Sequence, residues 1–167
     1  GFLAPLEQRG RALAGARAVV LGAGGSARTA IWALRSKGVH VAVTARRAER
    51  AQALAAEFAI ESLSWPPQPG WDLLVNTTPV GTSPRVLESP IDRELVRGGC
   101  VYDLIYNPAE TTLLQWARAA GADTIDGLEM LVSQAGHQFQ WWTGSTAPTL
   151  TMADAARGFV ARAQGTV

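Results

Sequence analysis

The chain has 167 residues, 47% of them hydrophobic, with one cysteine and a net charge of +1 from 15 basic and 14 acidic residues. This is enough apolar content for the core of one domain, and the mixed charges exclude the basic stripe that nucleic acid or a membrane surface requires as a main partner. Cys100 has no partner for an internal disulfide, no apolar run reaches the roughly 18 residues of a membrane span, and the N-terminus lacks a signal-peptide pattern, so the cytoplasm is the expected compartment.

In chain order, short apolar runs alternate with helical patterns. "ARAVVLGAGG" reads as a strand ending in glycines, and "SARTAIWALRSKG" places Ala27, Ala30, Ile31 and Leu34 at helical intervals before stopping at Gly38. "VHVAVT" is a second strand and "RRAERAQALAAEFA" an alanine-rich helix, after which the three prolines of "WPPQPG" dictate a loop. "DLLVNTT" and "CVYDLIY" are further strands. A helix over about 110–120, a short strand in "DTI" and two closing helices from about 128 and 148 complete the chain. Strands that alternate with helices pair in parallel, because each return crosses over through a helix. The predicted class is α/β, a doubly wound, mostly parallel sheet filling residues 1–167 as a single domain. Such a sheet binds ligands beyond the carboxyl ends of its strands, where strand order reverses.

The first strand runs directly into "LGAGGSARTA", the strand-turn-helix context of a dinucleotide site. Gly22, Gly24 and Gly25 let the backbone turn and approach a pyrophosphate, and the free amides of the helix start at Ser26 and Ala27 meet its charge. The pattern G-x-G-G-x-A, with Ala23 as its second member, departs from the commonest fingerprint. The second strand ends in Thr44 and Ala45 and then gives Arg46, Arg47 and Arg50, where an NAD site would place a carboxylate for the adenosine ribose. A 2′-phosphate needs arginine instead. Arg46 and Arg50 lie one helical turn apart, and positive charge at a helix start is unfavourable without an anion, so the arrangement favours NADP over NAD. In "VNTTPVGTSP", Asn76, Thr77 and Thr78 leave a strand as short polar side chains able to hydrogen-bond a ribose or simply their own backbone.

The helix "DGLEMLVSQAGHQFQWWTG" shows two faces. Leu128, Leu131, Val132, Ala135, Phe139 and Trp142 form one stripe, read as the core face, while Met130, Gln134, His137 and Trp141 lie opposite, toward a cleft or another domain. His137, without a paired carboxylate, reads as structural, as does Asp103. No metal-ligand cluster and no Ser-His-Asp arrangement is present in the pattern, and no residue stands out as an acid or base.

Taken in order, "GAGGSAR", "ARRAER", "NTTPVGTSP", "YDLIYNP" with Thr112, and "DGLEMLVSQA" followed by "FQWWTG" make the chain resemble the C-terminal, NADP-binding domain of shikimate dehydrogenases. The resemblance covers nearly the whole chain. It departs from the family where Ala45 and Arg47 replace an asparagine and a threonine, and where Thr82 replaces a methionine. It implies a Rossmann-like fold and NADP(H) as cofactor, with Gly22 to Ala27 on the pyrophosphate and Arg46 and Arg50 on the 2′-phosphate. Leu104, Gly127 and Met130 would lie beside the nicotinamide, and Tyr106 and Gln134 on the substrate, shikimate or 3-dehydroshikimate. It places the catalytic lysine and aspartate in an N-terminal substrate domain that would precede Gly1, and implies that the last helix, about 148–164, packs toward that domain. Its stripe of Met152, Ala156, Phe159, Val160 and Ala163 is then an interdomain face through which an isolated copy would self-associate. A quinate/shikimate paralogue and a non-catalytic NADP-binding module remain open at this point.

Overall fold

The computed structural model describes residues 1–164, with side chains through Arg162. Six strands and six helices follow in the order α1 (Ala4–Gln8), β1 (Arg17–Leu21), α2 (Gly25–Ser36), β2 (His40–Thr44), α3 (Ala48–Phe58), β3 (Glu61–Ser62), β4 (Leu73–Asn76), β5 (Cys100–Asp103), α4 (Thr112–Ala119), β6 (Asp123–Ile125), α5 (Gly127–Thr143) and α6 (Thr149–Gln164). A single 3-10 turn, Arg93–Leu95, interrupts the loop before β5.

All strand pairs are parallel, in the spatial order β3-β2-β1-β4-β5-β6. This is the doubly wound arrangement, and its strand order reverses between β1 and β4. Because side chains alternate along a strand, each one feeds two cores. Ala18, Val20, Val41, Val43, Val75 and Tyr102 point to the face covered by α1, α2 and α3. Val19, Leu21, Leu74 and Val101 point to the other, where Leu113, Leu114 and Ala117 of α4 meet Trp71, Ile91 and Val96. Burial on both faces explains why the strands read as continuous apolar runs. The N-terminal segment is pinned from within, since Phe2 stacks on Tyr102 at 4.9 Å and the Tyr102 hydroxyl donates to the Phe2 carbonyl at 3.2 Å.

The closing helices differ from the expected pattern. On the stripe read as a core face, Leu128 is buried, but Leu131 and Trp142 are exposed, Trp142 at 73%. Met130, read as pointing away, packs against the core instead. The reason is that α5 lies at the sheet's end and is flanked by α1 and α6, so its burial is spread around the helix. A Cβ on Gly136 would sit 3.2 Å from Thr149 Cγ2, which lets α6 approach closely. On α6, Val160 is buried, Met152 and Ala156 are half-buried and Phe159 is exposed, while Ala163 lies outside the described side chains.

Candidate functional site

Beyond the carboxyl ends of β1, β2 and β4 lies a cleft of about 960 Å³. Its floor is the β1–α2 turn. Gly22 has φ of +108°, and a Cβ there would meet Thr77 Oγ1 at 2.7 Å, so the fold itself demands glycine. Gly24 and Gly25 are different. Neither has a positive φ, and a Cβ on either would project into open space, so nothing inside the protein explains their missing side chains. They leave the helix start bare. Among the described residues the N–H groups of Gly25, Ser26 and Ala27 meet no acceptor, and Gly24 caps α2 without a side-chain hydrogen bond. Three free donors at the positive end of a 12-residue helix suit a phosphate. Ala27 contributes its backbone alone, because its side chain is buried.

One wall carries Ala45, Arg46, Arg47 and Arg50. Arg47 is the N-cap of α3, Arg46 precedes it and Arg50 lies in the first helical turn. Among the described residues, none of the three guanidiniums forms a hydrogen bond or ion pair, whereas Arg28 nearby is paired with Glu57. Three unpaired cations at a helix start leave an anion's place open.

Across β1, the turn after β4 braces itself. Asn76 is fully buried, donating through Nδ2 to Asp103 Oδ1 at 2.9 Å and accepting from the Thr78 N–H and hydroxyl. Thr77 donates to the Leu21 carbonyl at 2.7 Å and lines the cleft with Thr78. Asp103, read as structural, is the hub: it also accepts from the Thr111 hydroxyl at 2.7 Å and the Ile105 N–H at 3.1 Å. Burial pushes its carboxyl up to about 6, against these hydrogen bonds.

The remaining expected residues gather beyond β5. Gly127 is packed so that a Cβ would fall 2.4 Å from the Leu104 carbonyl, and its N–H donates to the Ile105 carbonyl at 3.1 Å. Leu104 and Met130 are half-buried against the core, while Tyr106 and Gln134 are exposed. None of these five lines the cleft. The chain's first residue lies against Gln134. His137 is exposed and bonds only the Ser133 carbonyl of its own helix, at 2.6 Å. Among the described residues no group of three or more His, Cys, Asp or Glu is placed to hold a metal ion, and no helix is long and apolar enough to cross a membrane. Trp65, Val80, Glu88, Ser89 and Pro90 also line the cleft. They come from loops with no periodic signal, and Trp65 opens the proline loop WPPQPG.

Residues 5–66 match the family model for shikimate/quinate 5-dehydrogenase, and residues 127–157 that for the shikimate 5'-dehydrogenase C-terminal domain. The chain belongs to the shikimate dehydrogenase family. It is 42% identical over 155 residues to shikimate dehydrogenase (NADP(+)) of Oleidesulfovibrio alaskensis, covering 89% of this chain and 55% of that protein. With the same enzyme of Moorella thermoacetica it shares 43% identity over 166 residues, 91% of this chain and 56% of the relative. The crystal structure of shikimate 5-dehydrogenase from Thermus thermophilus in complex with NADP(H) and shikimate superposes with a TM-score of 0.85 at 39% identity, over 93% of this chain and 59% of that one. The chain thus spans little more than half the length of these family members.

Proposed function

We propose that this chain is the NADP(H)-binding part of a cytoplasmic shikimate dehydrogenase, which interconverts 3-dehydroshikimate and shikimate. The observation that carries the cofactor reading is the set of three unpaired arginines on the cleft wall beside a helix start with three free amides. In the family, NADPH supplies the hydride, which passes to the carbonyl carbon of the substrate while a proton reaches its oxygen. The residues of this chain bind and orient. The amides from Gly25 to Ala27, with Gly22, Ala23 and Gly24 below them, hold the pyrophosphate. Arg46 and Arg50 hold the 2′-phosphate, and Arg47, in place of the family's threonine, adds a third cation. Thr77 and Thr78 form the ribose rim, which Asn76 braces from beneath. Ala45 offers no side-chain hydrogen bond to the adenosine ribose.

Leu104, Gly127 and Met130 are assigned to the nicotinamide end, and Tyr106 and Gln134, both exposed, to the substrate. No side chain of the chain is assigned as acid or base; that role belongs to the family's N-terminal substrate domain, which α6 is read as facing. The family model's own description covers quinate as well as shikimate, so a quinate-accepting paralogue is the second reading.

Replacing Arg46 and Arg50 by glutamine tests the assignment. NADP⁺ affinity should fall at least tenfold, about 1.4 kcal/mol, with NAD⁺ affinity unchanged. A parallel loss for both cofactors would mean that the arginines do not read the 2′-phosphate.

A further inference from the structure

The cleft wall beside the arginines ends in an indole. Trp65 lies three residues after the end of β3 and lines the cavity with Ala45, Arg46 and Arg50. Its position is fixed by the end of β2: the Leu63 N–H donates to the Val43 carbonyl at 2.9 Å, and Thr44 Oγ1 donates to the Ser64 carbonyl at 3.0 Å. Behind, the half-buried side chain packs against the core that holds Val19, Leu21 and Trp71. Among the described residues no other ring contacts it, and it forms no hydrogen bond.

A firmly backed aromatic side chain without a ring partner, on an open cavity and next to unpaired cations, suits a ligand that joins a flat π-system to a phosphate. In adenosine 2′-phosphate the base and the phosphate sit on adjacent carbons of one ribose. Trp65 and Arg46 likewise line one cavity. Across the cavity, the turn after β4 supplies Thr78, Pro79 and Val80, none of which carries an aromatic ring, so stacking from that side is absent.

We propose that Trp65 is the stacking platform for the adenine, a positioning residue that sets the orientation of the base and thereby guides the 2′-phosphate onto Arg46 and Arg50. This rests on the NADP(H) reading of the cleft. A base stacked on an aromatic ring typically gains about 1–3 kcal/mol, or roughly 5- to 150-fold in affinity.

The test uses the full chain, titrated with NADP⁺ and with adenosine 2′-monophosphate, by calorimetry and by tryptophan fluorescence. Both ligands should quench part of the wild-type emission. Trp65→Phe keeps an aromatic face, so affinity should stay within about threefold while the quench is lost, a signature that a purely structural tryptophan would not give. Trp65→Leu keeps apolar bulk without the ring, and should weaken both ligands at least fivefold and to the same extent. Wild-type affinity in Trp65→Leu, or an undiminished quench in Trp65→Phe, overturns the role of Trp65 and leaves the cofactor reading standing. The phenylalanine variant decides the matter if the leucine variant does not fold. Failure of the wild-type chain to bind NADP⁺ overturns the cofactor reading and this inference with it.

Discussion

At the ends of β4 and β5 one carboxylate, Asp103, serves three donors on three segments: Asn76, Ile105 and Thr111. Thr111 is also the N-cap of α4, accepting from the Leu114 N–H, so the same group fixes the cleft-side turn and the start of a helix. Its environment gives an uncommon sign to the pH dependence. Burial raises the folded-state value to about 6, above that of the unfolded chain, so the folded protein holds the proton more tightly. The contribution of Asp103 to stability is therefore largest at acid pH and falls as pH rises from the ordinary carboxylate range through about 6, by on the order of 3 kcal/mol. Urea unfolding of the wild-type chain and of Asp103→Asn, compared across that window, should show the variant gaining relative stability as pH rises. Parallel profiles would contradict the assignment. The asparagine keeps an oxygen for Asn76 and Ile105 and offers its amide to the Thr111 hydroxyl.

Among the elements, α5 shows how a sequence pattern can be correct about a helix and incomplete about its faces. Its start is fixed by side chains. Asp126 accepts from the Glu129 N–H at 2.8 Å while the Glu129 carboxylate reaches back to the Asp126 N–H, a capping box written as Asp-x-x-Glu. Gly127 belongs to the same turn but answers to packing, with the Leu104 and Ile105 backbone where a Cβ would stand. Gly127→Ala should cost about 1–3 kcal/mol in chemical unfolding through that overpacking. A neutral substitution would show that the strand end yields. The strands β1, β2, β4 and β5 were readable because burial on both faces makes apolar runs, and the glycine turn because it joins a strand to a helix. Three elements escaped. α1 is five residues opened by a proline, β3 is a two-residue edge, and Arg93–Leu95 is a single turn, so none is long enough to show a period. The α5 faces differ from the periodic pattern because the helix packs against other helices, and the neighbours of a helix are tertiary information. Likewise Trp65, Glu88 and Ser89 reach the cleft through loops whose paths no local signal encodes.

At the scale of the molecule, two surfaces stand out. One is the cleft at the strand reversal. The other is the apolar surface of the last two helices, where Trp141, Trp142, Leu150 and Phe159 are each exposed by two-thirds or more. Exposed apolar side chains in that number suit an interaction surface, and under the proposed function it is the substrate domain that would cover them. The chain by itself should then associate through it. Sedimentation velocity over a concentration series is expected to show self-association that weakens in a Leu150→Ser, Phe159→Ser double variant. A chain that sediments as a monomer at every concentration would contradict that use of the face.

The cofactor preference of the cleft is read by calorimetric titration of the chain with NADP⁺ and with NAD⁺, at low and at high salt. NADP⁺ should bind at least tenfold more tightly, about 1.4 kcal/mol, and salt should narrow the difference by screening the arginines. Equal affinities for the two cofactors, or no binding of either, would contradict the NADP(H) reading of the cleft.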